Sequence, residues 1–216
     1  MFNSIRITKG GLLLENFFEL RAEKQQHIID AALTVFGKSG YKKASLADIA
    51  QQAGISKGMV LYYFGSKKNL YLYLAQMGAK MMVDEMEAQF DPSVVDFFGR
   101  IKMTTDIKIA MMRKHPAIMS FLTGLYYETD PEVKTEIDEF IAASIKTRER
   151  WMGIRDENSH FKEGIDPAML ARFLVWAGEG FASSLPIGKN DIGDIEGFIA
   201  EFYAILDIMK KHFYKE

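Results

Sequence analysis

Between Ser45 and Leu70 the chain reads SLADIAQQAGISKGMVLYYFGSKKNL, and this stretch restricts the fold more tightly than any other. Ser45 stands three residues before Asp48, so a hydroxyl N-cap with a carboxylate in the first turn opens a short helix. Leu46, Ile49, Ala50 and Ala53 share one face of it. Gly54 ends that helix, because it is free to take the positive φ of a tight turn, and the small Ala50 lets two helices cross closely. Ser56 then caps a second helix. In it Ile55, Val60, Tyr63 and Phe64 fall at spacings that face inward, and Lys57, Gly58, Met59, Leu61 and Tyr62 are left largely outward. Two short helices in this order predict a helix-turn-helix whose second member is a recognition helix for DNA.

The residues Phe36, Gly40, Tyr41, Ser45, Ile49, Ala50, Gly54, Ser56, Lys57, Gly58, Tyr63, Phe64, Lys67 and Leu70 resemble the pattern of the tetracycline-repressor (TetR) family of bacterial transcriptional regulators. In that family the pattern spans three helices and the start of a fourth, which here means roughly residues 22 to 75. The rest of the chain is similar only in helical layout. The resemblance implies base contacts from Lys57, Gly58, Met59 and Tyr62, and phosphate contacts from Ser45, Ser56, Tyr63 and Lys67. One position departs from the pattern: the family usually carries a phosphate-touching Tyr where this chain has Leu61, with Tyr62 beside it as a substitute.

A second motif overlaps the first. Gly54-Ile55-Ser56-Lys57-Gly58 fits G-x-S-x-G, the turn that exposes a catalytic serine between a strand and a helix. Helical periodicity rather than a strand precedes Gly54, so the hydrolase reading lacks its context. The four histidines, His27, His115, His160 and His212, are scattered, and neither H-E-x-x-H nor a glycine-rich phosphate loop occurs. Neither enzyme chemistry nor a cofactor nor a metal is expected.

Charge supports the DNA reading. The net charge of −2 hides a split: residues 1 to 75 carry ten Lys or Arg against five Asp or Glu, and the remainder carries 17 against 24. A basic end suits phosphates, and an acidic body repels DNA elsewhere. The chain has no Cys, so a disulfide framework and thiolate metal sites are ruled out. Its first residues, MFNSIRITKGGLLLENFF, lack the apolar core and cleavage site of a signal peptide, and no apolar run reaches transmembrane length; a cytoplasmic location is expected.

Three segments are expected: an N-terminal extension (1–18), a helix-turn-helix domain (19–75) and a helical ligand-binding and dimerisation domain (76–216), all-α with about nine helices. In the extension, Arg6 and Lys9 suit an arm into a minor groove, while the ordinary behaviour of termini suggests a loosely held segment. Ile28, Ile29, Ala32, Leu33 and Phe36 predict the helix that covers the motif, closed by Gly40 with Tyr41 wedged beneath and Lys42 and Lys43 free. Ser66 caps a long fourth helix, the expected mechanical link to the second domain. Asp130-Pro131 and Asp166-Pro167 each start a further helix. Gly178 and Gly180 suggest a close helix approach.

The last two long helices carry apolar stripes, including Phe181, Phe198, Phe202, Ile205 and Met209, that need a partner. The resemblance implies that they pair with their copies in a second chain as a four-helix bundle. An apolar ligand pocket is expected in the body. Phe97, Phe98, Met111, Met119 and Phe121 are candidate lining residues, as are Tyr126, Phe140, Trp151, Phe173 and Trp176. Arg113, His115, Glu128 and Glu179 are candidate polar anchors. The composite expectation is a homodimer that binds an operator on double-stranded DNA and releases it with a small hydrophobic effector. The alternatives are an activator of the same fold or a helical adaptor that binds only protein.

Overall fold

The computed structural model describes residues 11–152, 160–184 and 195–215. Among these residues the chain forms ten α-helices: α1 (Gly11–Phe18), α2 (Ala22–Lys43), α3 (Leu46–Gln52), α4 (Lys57–Phe64), α5 (Lys67–Gln89), α6 (Phe97–Lys114), α7 (Pro116–Leu125), α8 (Lys134–Met152), α9 (Pro167–Ser184) and α10 (Ile195–Phe213). The only other regular pairing described is an isolated antiparallel bridge between Phe161 and Tyr214. No helix among the described residues is long and apolar enough to cross a membrane.

The helix beyond the expected nine is α1, and it corrects the picture of a loose extension from residue 11 onward. Phe17 is only 1% exposed, with its ring 4.9 Å from Phe64, 6.0 Å from Tyr73 and 6.1 Å from Tyr63. Leu14 packs against the same core. Leu14 and Phe17 therefore have partners, supplied by residues far along the chain that local periodicity does not reveal. Arg6 and Lys9, the candidate groove arm, lie outside the described residues.

Contacts divide the chain into two compact units. The first joins the chain up to Asp84 with Lys114–Ala142, and the second joins Glu85–Arg113 with Ala143 onward. The first unit thus contains more than the helix-turn-helix segment: α7 and the start of α8 belong to the same core as α2 to α5. Ile28, Leu33, Phe36, Ile49, Val60, Phe64, Leu70 and Leu74 meet Ile118, Phe121, Val133 and Ile137 there. An aromatic cluster centres on Tyr71, whose ring lies 4.9 Å from Phe36, 5.0 Å from Tyr41 and 5.1 Å from Phe121. The half-exposed rim carries a Lys68–Glu136 ion pair at 2.6 Å, which ties α5 to α8 at modest gain.

Two glycines shape this unit. Gly40 sits at φ 67°, ψ 177°, a region nearly confined to glycine, so α2 breaks there and Tyr41 turns inward to 1% exposure. Gly54 takes φ 65° and makes the turn between α3 and α4, as its position in the motif requires.

The second unit has its own core of Phe97, Phe98, Ile101, Phe161, Leu170, Leu174 and Leu206. Phe161 lies 5.4 Å from Phe97 and 4.8 Å from Tyr214, so the chain after α8 and the C-terminal end close on the start of α6. Lys102–Asp207 at 2.6 Å and Lys210–Asp96 at 3.0 Å rim the seam between α6 and α10. A Cβ at Gly178 or Gly180 would meet nothing within 4 Å among the described residues of one chain, so the close approach expected there is not made among them.

Gly40→Ala tests the backbone argument cleanly. A Cβ there would come no nearer than 3.9 Å to any neighbour, the Glu128 Oε2 atom, so the cost is conformational rather than steric. It should amount to about 1–3 kcal/mol, read as a lower denaturation midpoint with an unchanged denaturant slope.

Candidate nucleic-acid interface

The interface is built by two caps and a buried stripe. Ser45 Oγ accepts the Asp48 N–H at 3.1 Å and starts α3, and Ser56 Oγ accepts the Met59 N–H at 3.2 Å and starts α4. A serine hydroxyl that accepts in a cap keeps its own hydrogen to donate, so both residues can cap a helix and still face a phosphate. Leu46, Ile49 and Ala50 of α3 and Val60, Tyr63 and Phe64 of α4 are buried, which presses the opposite face of α4 outward. Lys57 and Gly58 are exposed, as are Leu61 at 39% and Tyr62 at 52%. Met59 is half-buried and packs against the core, so it is less outward than its spacing suggests. Gly65 stops α4 at φ 74° with its N–H on the Leu61 carbonyl, and Ser66 caps α5 by accepting the Asn69 N–H at 3.0 Å.

Two of the residues expected on phosphates stand differently. Tyr63 is 2% exposed, its ring edge-on to Phe17, and burial raises its hydroxyl above the usual tyrosine value. Its ring belongs to the core, packed by α1 from outside the motif, which leaves only the hydroxyl end for a phosphate. Lys67 is half-buried. Its Nζ donates to the Tyr41 carbonyl at 3.0 Å and the Ala44 carbonyl at 3.3 Å, and lies 4.2 Å from the centroid of the Tyr41 ring. An ammonium has three donors, so one remains for a phosphate after the two carbonyls are served. Lys42 and Lys43, just before Ala44, are exposed on the same connection.

Behind this surface stands a residue that also lines a cleft of the first unit, between the broken end of α2, Tyr71 and α7. Glu128, expected as a pocket anchor, accepts the Tyr41 N–H at 3.0 Å and the Tyr71 O–H at 3.2 Å through Oε2, while Oε1 accepts the Thr129 and Asp130 N–H groups at 2.9 Å each. Burial, with the Glu128 charge adding to it, pushes the Tyr71 hydroxyl far above the usual range, so it remains a donor at any working pH. No local signal marks Glu128 for this role, because its partners are distant in sequence.

The ten expected pocket residues are split. Met119, Phe121, Tyr126 and Phe140 belong to the first unit, and Phe97, Phe98, Met111, Trp151, Phe173 and Trp176 to the second. Phe97, Phe98, Met111, Phe121 and Phe140 are buried core, whereas Tyr126, Phe173 and Trp176 are 38%, 51% and 67% exposed. Trp151 packs 5.1 Å from Phe90. A cleft of about 290 Å³ in the first unit, between the broken end of α2, Tyr71 and α7, takes in only Phe121 of the ten. Among the other anchors, Arg113 pairs with Glu196 at 3.1 Å and His115 sits half-buried before α7 without a side-chain cap bond, while the Glu179 side chain lies outside the described residues. Of the dimer candidates, Phe202 and Met209 pack on the core of their own unit, Phe198 is half-buried, Ile205 is 43% exposed, and the Phe181 side chain lies outside the described residues.

Lys57 and Lys67 should therefore behave differently on substitution. Lys57→Ala, on the open face of α4, should weaken DNA binding without changing thermal stability. Lys67→Ala should lower the slope of log affinity against log salt by about one. It should also destabilise the free protein by about 1–3 kcal/mol, because two part-buried carbonyls lose a charged donor. Denaturation without DNA alongside binding across a salt series separates the two effects.

Comparison with known proteins agrees with this geometry. A family model described as Bacterial regulatory proteins, tetR family, matches residues 28–74. The fatty acid metabolism regulator protein of Bacillus subtilis is 24% identical over 71% of this chain and 78% of its own length, and the HTH-type transcriptional regulator RutR of Escherichia coli O157:H7 is 29% identical over 71% of each. Among solved structures, a TetR family transcriptional regulator from Chloroflexus aurantiacus superposes with a TM-score of 0.71 at 23% identity, covering 94% of this chain and 98% of that one. The fatty acid degradation regulator FadR of Bacillus halodurans superposes at 0.65 and 18% identity, over 87% and 96%. Residues 28–74 thus match the TetR family of bacterial regulatory proteins, and the helical layout of the chain is similar to that of solved TetR-family transcriptional regulators.

Proposed function

We propose that the protein is a homodimeric repressor that reads a palindromic operator with α4 and is released by a small hydrophobic effector held in its helical body. The observation that carries the reading is the outward face of α4: Lys57, Gly58, Leu61 and Tyr62 stand exposed on a helix whose other face is locked into the core. Lys57 and Tyr62 are the base-reading candidates, with Gly58 allowing close approach of the backbone. Ser45, Ser56 and the spare donor of Lys67 are the phosphate candidates. An adaptor that binds only protein would leave this face and the family match at residues 28–74 without a role.

The dimer face follows from exposure rather than from the stripe alone. Met169, Phe173 and Trp176 recur at i, i+4 and i+7 on α9 and are 62%, 51% and 67% exposed; Ile205 and Ile208 on α10 are 43% and 60% exposed. Clustered apolar exposure of this kind marks an interaction surface. Phe173 and Trp176 are thus better placed for a second chain than for a pocket. A dimer must hold its recognition helices about 34–36 Å apart, or at a multiple of a helical turn, to meet successive major grooves. The α5 helix, continuous from Lys67 to Gln89, supports a mechanical link from the body to the operator face. An effector that fits only another spacing releases DNA, provided its affinity differs between the two states by about 5.5 kcal/mol for a full switch. A regulator of this class works in the cytoplasm, where bacterial DNA is.

The reading is tested by selecting DNA from a random pool with the purified protein. A recovered palindrome with half-sites one turn or a whole number of turns apart supports it, and a pool without sequence preference overturns it. Trp176→Glu tests assembly: the site is exposed within one chain, so the variant should fold, while a charge buried at the interface should shift dimer to monomer in light scattering. A Trp176→Glu protein that remains a dimer would place the interface elsewhere.

A further inference from the structure

We propose that Glu128, which lies outside the helix-turn-helix, is a positioning residue for operator binding: its carboxylate fixes the segment from Gly40 to Ser45 and thereby sets the operator-facing surface. This rests on reading Ser45 to Lys67 as that surface. One oxygen is held by the backbone of its own turn, through the Thr129 and Asp130 N–H groups at 2.9 Å. That leaves the other oxygen aimed at the Tyr41 N–H and the Tyr71 O–H. All four donors converge on one carboxylate, a geometry an amide cannot reproduce because its NH₂ group accepts nothing.

The consequence runs along the chain. Tyr41 follows the backbone break at Gly40, so its peptide is tied by Glu128 at the N–H and by Lys67 at the carbonyl. The same Lys67 ammonium holds the Ala44 carbonyl, and Ala44 precedes Ser45, the cap of α3. The exposed Lys42 and Lys43 lie between these two clamps. Tyr71 supplies the second clamp on the carboxylate from α5, the helix that Lys67 begins. A shift of the turn after α7 is therefore passed to Ser45 through three hydrogen bonds and a short piece of backbone. Preorganisation of this kind raises affinity without a contact of its own to DNA.

The experiment uses full-length Glu128→Gln and Tyr71→Phe proteins and titrates selected operator DNA across a salt series, at a temperature well below each unfolding midpoint. Glu128→Gln should weaken operator binding about tenfold and Tyr71→Phe about threefold, since one loses part of a charged cluster and the other a single donor. The salt slope should stay at the wild-type value, because no phosphate contact is removed. The effect of Glu128→Gln should also shrink when Ser45→Ala is already present, because both act on one surface. Unchanged operator affinity in either folded variant overturns the proposal, as does a loss that adds fully to that of Ser45→Ala. Should Glu128→Gln fail to fold, the Tyr71→Phe arm decides alone. A wild-type protein that selects no DNA sequence refutes the underlying reading, and is told apart because the variants are then compared with no operator binding at all.

Discussion

The first unit depends on one tyrosine buried behind a broken helix. Gly40 leaves the helical region, Tyr41 turns under α2, and its ring stacks into the Phe36–Tyr71–Phe121 cluster. A peptide displaced from helical geometry must satisfy its polar groups elsewhere. Glu128 takes the N–H and Lys67 takes the carbonyl, so two oppositely charged side chains are recruited to either side of a single residue. Both charges are part-buried and hydrogen-bonded, the carboxylate by four N–H and O–H donors and the ammonium by two carbonyls, which is the condition under which such groups support a fold rather than weaken it.

The DNA-facing parts inherit their rigidity from this arrangement. The helices α3 and α4 are short, with seven and eight residues, and helices of that length are marginal in water on their own. They persist because serine caps satisfy their first N–H groups and because Val60, Tyr63 and Phe64 are packed by α1 and α5. If these helices meet an operator, as proposed, the packing means that they arrive there preformed. Side chains that cap, such as Ser45 and Ser56, and one that clamps, Lys67, retain hydrogens for phosphates, so stability and recognition draw on the same groups.

The second unit obeys different physics. Its core is a ring of phenylalanines closed by the C-terminal segment, and its helices α9 and α10 leave a run of large apolar side chains in water. The acidic excess of the chain beyond residue 75 discourages DNA from approaching except at the basic end. A body that is acidic and apolar by turns is suited to contacts with another protein chain and with small apolar molecules.

The sequence by itself determined the local elements of the operator face. Capping serines, the glycine of the turn and the 3.6-residue spacing of Ile49, Val60 and Phe64 act over a few residues, and each was legible before any fold was known. Charge asymmetry and helix starts at Ser66 and Asp166 were legible for the same reason. What only the tertiary structure decided depends on residues distant in the chain. Phe17 found Phe64, which buried the Tyr63 ring and turned part of an apparent tail into a helix. Glu128 found Tyr41, and Lys67 turned back onto two carbonyls. Phe97 and Phe121, alike in any periodicity, went to different cores. A stripe of apolar residues says that a helix has a buried face, but the identity of what covers it is a property of packing, and packing is settled by the whole chain at once.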